Sequence, residues 1–256
     1  MAESYAINGT SIASVLTHVQ TLSGFIGTPS LRQSDYSVPG RTGVVAATPW
    51  IGPRQVSIGG VVEGTSRADF QAKLRALMNL CFGGGDTFTL TRTLVDTAGK
   101  DIVAQSTARY SGGLESAEML SDRVARVAVD FTLLDGLWTD PAYTDSGALT
   151  SATFSLTVPG DSVTSAVKVR FNNTASTQRL TNTTLGDWVQ YGASTVASMV
   201  ELDIAAFTAV QSSVNKIAYV SANTTSYYWM RLTPGVNTFA LTGGGQVRVL
   251  YKAAWL

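Results

Sequence analysis

The chain has 256 residues, of which 45% are apolar and only 14% are charged, and its formal net charge is zero. This length fits one large or two ordinary domains, and the neutral balance excludes a global attraction to nucleic acid or to an anionic membrane. Many Gly, Thr, Ser and Val residues favour short strands and tight turns over helices.

The scarcity of cysteine and histidine limits the classes of function that the chain can have. Cys81 is the only cysteine and His18 the only histidine, so the chain cannot form an internal disulfide. The N-terminus has no basic region followed by an apolar core, and no apolar run reaches about eighteen residues, so we expect neither a signal peptide nor a membrane-spanning helix.

The first half of the chain predicts strands around one helix. Asn8-Gly9 indicates a type I′ hairpin within residues 5–17, and Gln55–Val62 alternates as a strand does. Ser66 is a favoured N-cap, with Asp69 three residues later, and an apolar stripe predicts a helix over Ser66–Leu80. The apolar stripe consists of Phe70, Leu74, Leu77 and Cys81. Further strands are predicted over Phe88–Leu90, Val103–Tyr110 and Arg123–Leu133.

Residues 31–48 differ from their surroundings. They contain Val38-Pro39-Gly40-Arg41-Thr42-Gly43. A Pro-Gly pair followed by a second glycine indicates a turn or an extended loop instead of a strand that joins a sheet.

The second half predicts strands alone. Trp138-Thr139-Asp140-Pro141 marks a boundary, which divides the chain into domains 1–141 and 142–256. About eight short strands separated by turns then predict a β-sandwich: Phe154–Val158, Val167–Phe171, Trp188–Val189, Met199–Leu202, Lys216–Val220, Tyr227–Leu232, Thr238–Leu241 and Val247–Tyr251.

The residues for catalysis are missing from these patterns. A zinc site needs about four ligands, which His18 and Cys81 cannot supply, and Cys81 extends the apolar stripe of the helix. Neither Gly83-Gly84-Gly85 nor Gly243-Gly244-Gly245 has the lysine and the strand-to-helix setting of a phosphate-binding loop. Glu201 and Asp203 would share one solvated face of a strand. We therefore expect no enzyme and no cofactor or metal.

Aromatic residues are the strongest binding candidates of the second domain. Trp188, Tyr191, Tyr227 and Trp229 could contact a glycan or a partner protein, although packing in the core explains most such rings. If Tyr227–Leu232 is a strand, Tyr228, Met230 and Leu232 face inward, while Tyr227 and Trp229 face solvent or a neighbouring subunit.

The order of these segments resembles the distal tail proteins of long-tailed bacteriophages. The resemblance rests on the loop Ser34–Gly43, the strand Pro53–Gly64, the Ser66–Leu80 helix, the Phe88–Leu90 strand and the C-terminal segments Trp229–Asn237 and Val247–Leu256. It implies a mainly β fold, with an N-terminal β-sandwich belt domain carrying one covering helix and a C-terminal galectin-like β-sandwich.

The same resemblance implies a structural role in the virion. The belt domains would form a ring, usually a hexamer, at the distal end of the tail, assembled in the host cytoplasm. Its partners would be other copies of the chain, the tail tube protein, the tail hub or tip protein and the tape measure protein, with DNA only in transit.

A specific contact follows from the unusual loop. We expect the Asp35–Gly43 segment to reach an adjacent subunit or the tail tube, through Asp35, Tyr36, Val38, Pro39, Gly40, Arg41 and Gly43. The alternatives are a virion carbohydrate-binding protein for attachment to the host surface, a glycan-cleaving enzyme and a tail tube protein. The second sandwich argues against a tube protein, whose subunits typically have a single domain.

Overall fold

The computed structural model describes residues 4–25, 29–32, 36–37, 44–45, 50–82, 85–95, 101–172, 176–196, 198–223 and 229–256. The chain forms two compact units: residues up to Thr139 together with Leu256 make the first, and Asp140–Trp255 make the second. The mainly β fold that the sequence predicts is confirmed, and α1 is the one α-helix of the described residues. No helix in the described part of the chain has the length and apolar character needed to span a membrane.

The first unit is built of short and long antiparallel strands around one helix. Its elements are β1 (Ser4–Ile7), β2 (Thr10–Ser11), β3 (His18–Ser23), β4 (Leu31–Arg32), β5 (Tyr36–Ser37), β6 (Val44–Val45), β7 (Trp50–Ile51), β8 (Arg54–Glu63), α1 (Arg67–Phe82), β9 (Phe88–Val95), β10 (Asp101–Gly112), β11 (Glu118–Met119), β12 (Val124–Leu133) and β13 (Trp138–Thr139). Short 3-10 helices lie at Ile12–Ser14 and Leu114–Ser116.

One large sheet dominates this unit, with the strand order β2-β1-β9-β10-β12-β8-β3. The predicted hairpin is confirmed at its turn: Asn8 and Gly9 have φ angles of 47° and 79°, and Ile7 pairs with Thr10. Its second strand ends at Ser11, because the chain then turns into a 3-10 helix.

Alternation along the long strands separates two faces of the sheet. On β8 and β12 the buried apolar residues lie at every second position, as the sequence predicts: Val56, Ile58, Val62, Ala125, Val127, Val129 and Phe131. The other face is polar and partly exposed, with Gln55 and Ser57 on β8 opposite Thr132 and Asp130 on β12.

The helix α1 begins and ends close to its predicted bounds. Ser66 Oγ accepts a hydrogen bond from the Asp69 amide at 3.2 Å, and Asp69 Oδ2 accepts one from the Thr65 amide at 2.8 Å. This bond from the Thr65 amide is the largest influence that lowers the pKa of Asp69. Phe70, Leu77 and Cys81 are buried, and the Phe82 ring meets Tyr110 edge-on at 4.4 Å.

The second unit consists of two antiparallel sheets. Its strands are β14 (Thr144–Asp145), β15 (Thr153–Val158), β16 (Val167–Asn172), β17 (Gln178–Asn182), β18 (Asp187–Tyr191), β19 (Val200–Asp203), β20 (Thr208–Gln211), β21 (Val214–Asn215), β22 (Val220–Ala222), β23 (Gly235–Thr242), β24 (Gln246–Tyr251) and β25 (Ala254–Trp255). One sheet has the order β14-β24-β16-β19-β20-β21, the other has the order β15-β23-β17-β18-β22, and β25 belongs to neither of them.

A single apolar cluster joins the two sheets into a sandwich. Alternate residues of β16, β19 and β24 contribute from one sheet, and those of β17, β18 and β23 contribute from the other. The members with no exposed surface include Val167, Val169, Phe171, Leu180, Val189, Tyr191, Val200, Leu202, Phe239, Val247 and Val249. Removing these side chains from water is the main source of stability for this unit.

Two predicted strands of this unit differ from the structure. Ile217–Tyr219 is a 3-10 helix, and β22 begins only at Val220, so the strand predicted over Lys216–Val220 is wrong at its start. Trp229, Met230 and Arg231 belong to no strand, and Leu232 makes an isolated bridge to Thr164. Met230 and Leu232 are nevertheless fully buried, as predicted.

A buried polar network takes the place of a sheet ladder in this segment. Asn182 Nδ2 donates to the Arg231 carbonyl at 2.9 Å and to Asn237 Oδ1 at 3.2 Å. Asn237 Oδ1 also accepts from the Thr233 amide, and its Nδ2 donates to the Thr233 carbonyl at 2.7 Å. Both asparagines are completely buried, so these bonds hold residues 231–237 in one conformation.

We expect Asn237→Ala to lower the free energy of unfolding by about 3 kcal/mol, because the buried Asn182 amide group and the partly buried Thr233 backbone amide lose their acceptor. Urea unfolding followed by tryptophan fluorescence measures the change. Thr242→Ala, at an exposed position of the same strand, is the control and should change stability by less than about 0.5 kcal/mol. Equal effects of the two substitutions would contradict the role given to the network.

Candidate functional site

Two short antiparallel ladders lie between Leu31 and Ile51, a segment named the arm here. β4 pairs with β7, and β5 pairs with β6 farther along the same segment. The sequence predicts a turn or an extended loop over residues 31–48 instead of ladder-forming strands, and this prediction is wrong for Leu31–Arg32, Tyr36–Ser37 and Val44–Val45, which pair in these ladders. The Val38–Gly43 connection therefore joins two paired strands.

The predicted interface residues fall within or beside this connection. Tyr36 lies in β5 and pairs with Val45. The other predicted residues, Asp35, Val38, Pro39, Gly40, Arg41 and Gly43, lie outside the described residues.

Two buried arginines fix the point where the chain leaves the sheet toward the arm. Arg54 Nε donates to the Gly24 carbonyl at 2.5 Å, and Arg92 donates to the Phe25 carbonyl at 3.1 Å. The exposed fractions of these arginines are only 5% and 6%. Gly24 has a φ of +74°, and a Cβ there would collide with the Gln55 backbone.

Aromatic rings surround the Arg92 guanidinium. The Phe25 ring stacks on Trp138 with centroids 5.8 Å apart and meets Tyr5 edge-on at 4.7 Å. Arg92 lies over the Phe25 ring at 5.7 Å and over Trp138 at 5.9 Å. Cation–π attraction of this kind is strongest where water is excluded, so the cluster holds Phe25 at the base of the arm.

The return side of the arm is held as well. The Gly52 amide donates to the Ser30 carbonyl at 2.7 Å, and Ser30 Oγ donates to the Pro53 carbonyl at 3.2 Å. The outgoing and returning chains are thus bonded to each other next to the sheet.

The aromatic candidates of the second unit occupy three different environments. Tyr191 is completely buried, and its hydroxyl lies 3.4 Å from Gln211 Oε1, which gives it a packing role in the core. Trp229 is half-buried and meets Phe207 edge-on at 5.5 Å. Trp188 is half-buried on the outward face of β18. Tyr227 lies outside the described residues.

The predicted outward direction of Trp229 by strand alternation has no basis, since Trp229 is in no strand. Its position follows instead from the next residues: Arg231 is bound through its amide and side chain to Asp187, with Nε to Oδ2 at 2.9 Å. The Asp187 side chain is only 2% exposed, so this ion pair anchors the segment.

The described residues offer little for catalysis. They contain no group of three or more His, Cys, Asp or Glu side chains that could hold a metal ion. Cys81 is buried in α1, and burial raises the pKa of its thiol to about 12. A thiolate is the reactive form of cysteine, so Cys81 is unsuited to nucleophilic chemistry in this fold.

The fold has solved relatives. The SPP1 Dit protein (gp 19.1), described as a paradigm of the hub adsorption apparatus in phages that infect Gram-positive hosts, superimposes with a TM-score of 0.74 at 15% identity, covering 100% of both chains. A chain of the phage P2 baseplate, in its activated conformation with calcium, gives a TM-score of 0.50 at 9% identity over 99% of this chain and 98% of that one.

At these identities the likeness establishes the fold. The Dit-like fold extends along the whole chain, and the resemblance to distal tail proteins is confirmed at that level. No protein-family model matches the sequence, and no curated protein matches it.

We expect the Cys81 thiol to be unreactive in the folded protein. In the folded protein at about pH 8, Ellman's reagent should modify only part of the thiol over hours, because burial keeps the thiol protonated. After unfolding in guanidinium, the reaction should finish within minutes. Absorbance of the released thiolate at both conditions measures this. Rapid modification of the folded chain would contradict the burial of Cys81.

Proposed function

We propose that this chain is a structural virion protein that forms a ring at the distal end of a phage tail. The ring joins the tail tube to the tail tip or baseplate, and DNA passes through its centre. The observation that carries the proposal is the full-length likeness to the SPP1 Dit protein, in which both chains are covered completely.

In this proposal the two units have separate roles. The first unit, with its large sheet and α1, is the belt domain of the ring, and the second is the galectin-like sandwich that projects outward. The further partners are the tail tube protein, the hub or tip protein and the tape measure protein. The chain acts without enzyme activity or cofactor.

Ring formation requires a contact that repeats around an axis, in which one surface of a subunit meets a different surface of the next. The arm is suited to such a contact, because it leaves the sheet at a point fixed by Arg54 and Arg92. A rigid base reduces the entropy that the arm loses on binding. We therefore assign Asp35, Tyr36, Val38, Pro39, Gly40, Arg41 and Gly43 to the interface with the adjacent subunit or the tail tube.

The glycan-binding alternative has less support. Tyr191 is buried, and the guanidinium of Arg179 lies over the Trp188 ring at 4.1 Å. A sugar stacking on that side of the ring would first have to displace Arg179. Trp229 packs against the core cluster and against Phe207, so these rings form no shared platform.

We expect the purified chain to assemble into a ring of six copies with a central hole. Multi-angle light scattering should then give a mass near six times the 27.0 kDa of one chain, and negative-stain images should show the hole. A particle that stays monomeric at every concentration, including in the presence of the tail tube protein, would contradict the proposal.

We expect the double substitution Val38→Ser and Arg41→Ala to abolish the ring without unfolding the chain, because it removes the apolar and cationic groups of the connection. The thermal melting temperature and circular dichroism should stay unchanged while the ring mass is lost. The matched control, Val236→Ser with Lys216→Ala in the second unit, replaces an exposed valine and a partly exposed lysine and should leave the ring intact. An intact ring in the Val38/Arg41 variant would remove this connection from the interface.

A further inference from the structure

The two outward faces of the second unit differ sharply in charge. The strands of the β14–β21 sheet carry six charged residues: Asp145, Lys168, Arg170, Glu201, Asp203 and Arg248. They neutralise one another across the strands, with Lys168 3.1 Å from Glu201 and 3.0 Å from Asp203, and with further pairs Arg170–Glu201 at 2.6 Å and Arg248–Asp145 at 3.2 Å.

These ion pairs across the strands are typical of a surface that remains in water. Desolvation acts to raise the pKa of Glu201, but its bonds to Arg170 and Lys168 outweigh that effect and lower it. Partly exposed, mutually paired charges keep a face soluble and are costly to bury against another protein.

The opposite face carries almost no charge. The strands of the β15–β22 sheet contain only Arg179 and Asp187 as charged residues. Asp187 is buried and paired with Arg231, so Arg179 is the single charged side chain on the outward face of these strands. Besides Trp188, the other outward residues are uncharged, and they are mostly small or polar apart from the exposed Val236: Thr153, Ser155, Thr157, Thr181, Gln190, Ser221, Val236, Thr238, Ala240 and Thr242.

Arg179 and Trp188 form the centre of this surface, which we name the Trp188 face and define by Arg179, Thr181, Trp188, Gln190, Ala240 and Thr242. Cross-strand pairing places Thr181 beside Trp188 and Ala240, and Arg179 beside Gln190 and Thr242. The guanidinium lies 4.1 Å from the ring centre, close enough for a cation–π contact.

The charge of Arg179 is not neutralised within its own unit. Among the described residues no carboxylate forms an ion pair with it: Asp145 pairs with Arg248, Asp187 with Arg231, and Glu201 and Asp203 with Lys168, while Asp140 accepts the Ala253 amide and Asp161 has a contact of its own. The positions of this unit outside the described ranges, 173–175, 197 and 224–228, contain no Asp or Glu in the sequence.

We propose that the Trp188 face docks a partner protein of the tail whose surface presents a carboxylate to Arg179, an inference that rests on the proposed function. Cores of protein interfaces are depleted in charged residues but enriched in Trp and Arg, which supply most of the binding energy. The Trp188 face has this composition, and the ion-paired face of the same sandwich does not. The excess positive charge specifies an acidic counterpart.

Site-specific photo-crosslinking in assembled tails tests the proposal. Thr242 is replaced by p-benzoylphenylalanine, which places the crosslinker beside Arg179. The matched control carries it at Val210, an exposed position on the outward face of the other sheet, opposite Glu201. We expect crosslinks from Thr242, into an Asp- or Glu-containing segment of another tail protein, and none from Val210.

Charge reversal tests the chemistry of the contact. Arg179→Glu should reduce the Thr242 crosslink more than about tenfold, and replacing the crosslinked carboxylate by Lys should restore it. Lys216→Glu, which reverses a charge elsewhere in the unit, should have no effect. Both variants should still form the ring.

The outcomes separate this proposal from the ring function. Loss of the ring in the unmodified chain contradicts the proposed function itself. A normal ring without a Thr242 crosslink, or with crosslinks only to other copies of this chain, overturns the docking proposal alone. Binding of a glycan array that requires Arg179, without a protein crosslink, would assign the face to a saccharide and also overturn it.

Discussion

The arrangement of the first unit depends on two buried guanidinium groups that hold the backbone where the sheet gives way to the arm. Burying an arginine is costly unless hydrogen bonds replace its water, and the carbonyls of Gly24 and Phe25 supply such bonds. Those carbonyls must therefore stay in place for the charges to remain buried. The requirement fixes the backbone at Gly24 and Phe25, and Gly24 is needed because the chain passes the Gln55 backbone too closely for a side chain.

In the second unit, asparagine side chains and one ion pair hold a backbone segment that lies outside the sheets. Residues 229–234 lie outside the regular strands, and apart from Leu232, which bridges to Thr164, their backbone groups have no ladder to satisfy them. Asn182, Asn237 and Asp187 reach this segment from β17, β23 and β18, and together they bind the backbone of Arg231 and Thr233. Because buried polar groups tolerate few alternative partners, the network selects one path across the end of the sandwich.

Much of the fold could be predicted from periodicity. The i, i+4, i+7 stripe of α1, the alternation along β8 and β12, and the Asn8-Gly9 turn all reflect local rules that tertiary structure did not override. Residues 217–219 escaped prediction because local hydrogen bonds, from the Ile217 amide to Asn215 Oδ1 and from the Tyr219 amide to the Lys216 carbonyl, turn the chain into a 3-10 helix. Residues 229–231 escaped it because tertiary contacts hold them instead of a ladder. Arg54 and Arg92 were missed, although each lies in phase with apolar residues, Val56 and Ile58 in β8 and Phe88 and Leu90 in β9. An arginine at a core position of an alternating strand was the available signal.

The few charged residues of the chain lie mainly where other groups of the protein bind them. Several charged groups bind partners inside the units, as Arg54, Arg92 and Asp187 do. Others form ion pairs with one another on the outward face of β16, β19 and β24. The polar face of the first unit combines uncharged side chains, such as Gln55 and Ser57, with the charged Asp130 and Arg126. Uncharged polar surface costs less to desolvate than ionic surface. On the outward face of the β15–β22 sheet only Arg179 is charged, so that face costs less to desolvate against another protein than the ion-paired face of the same unit.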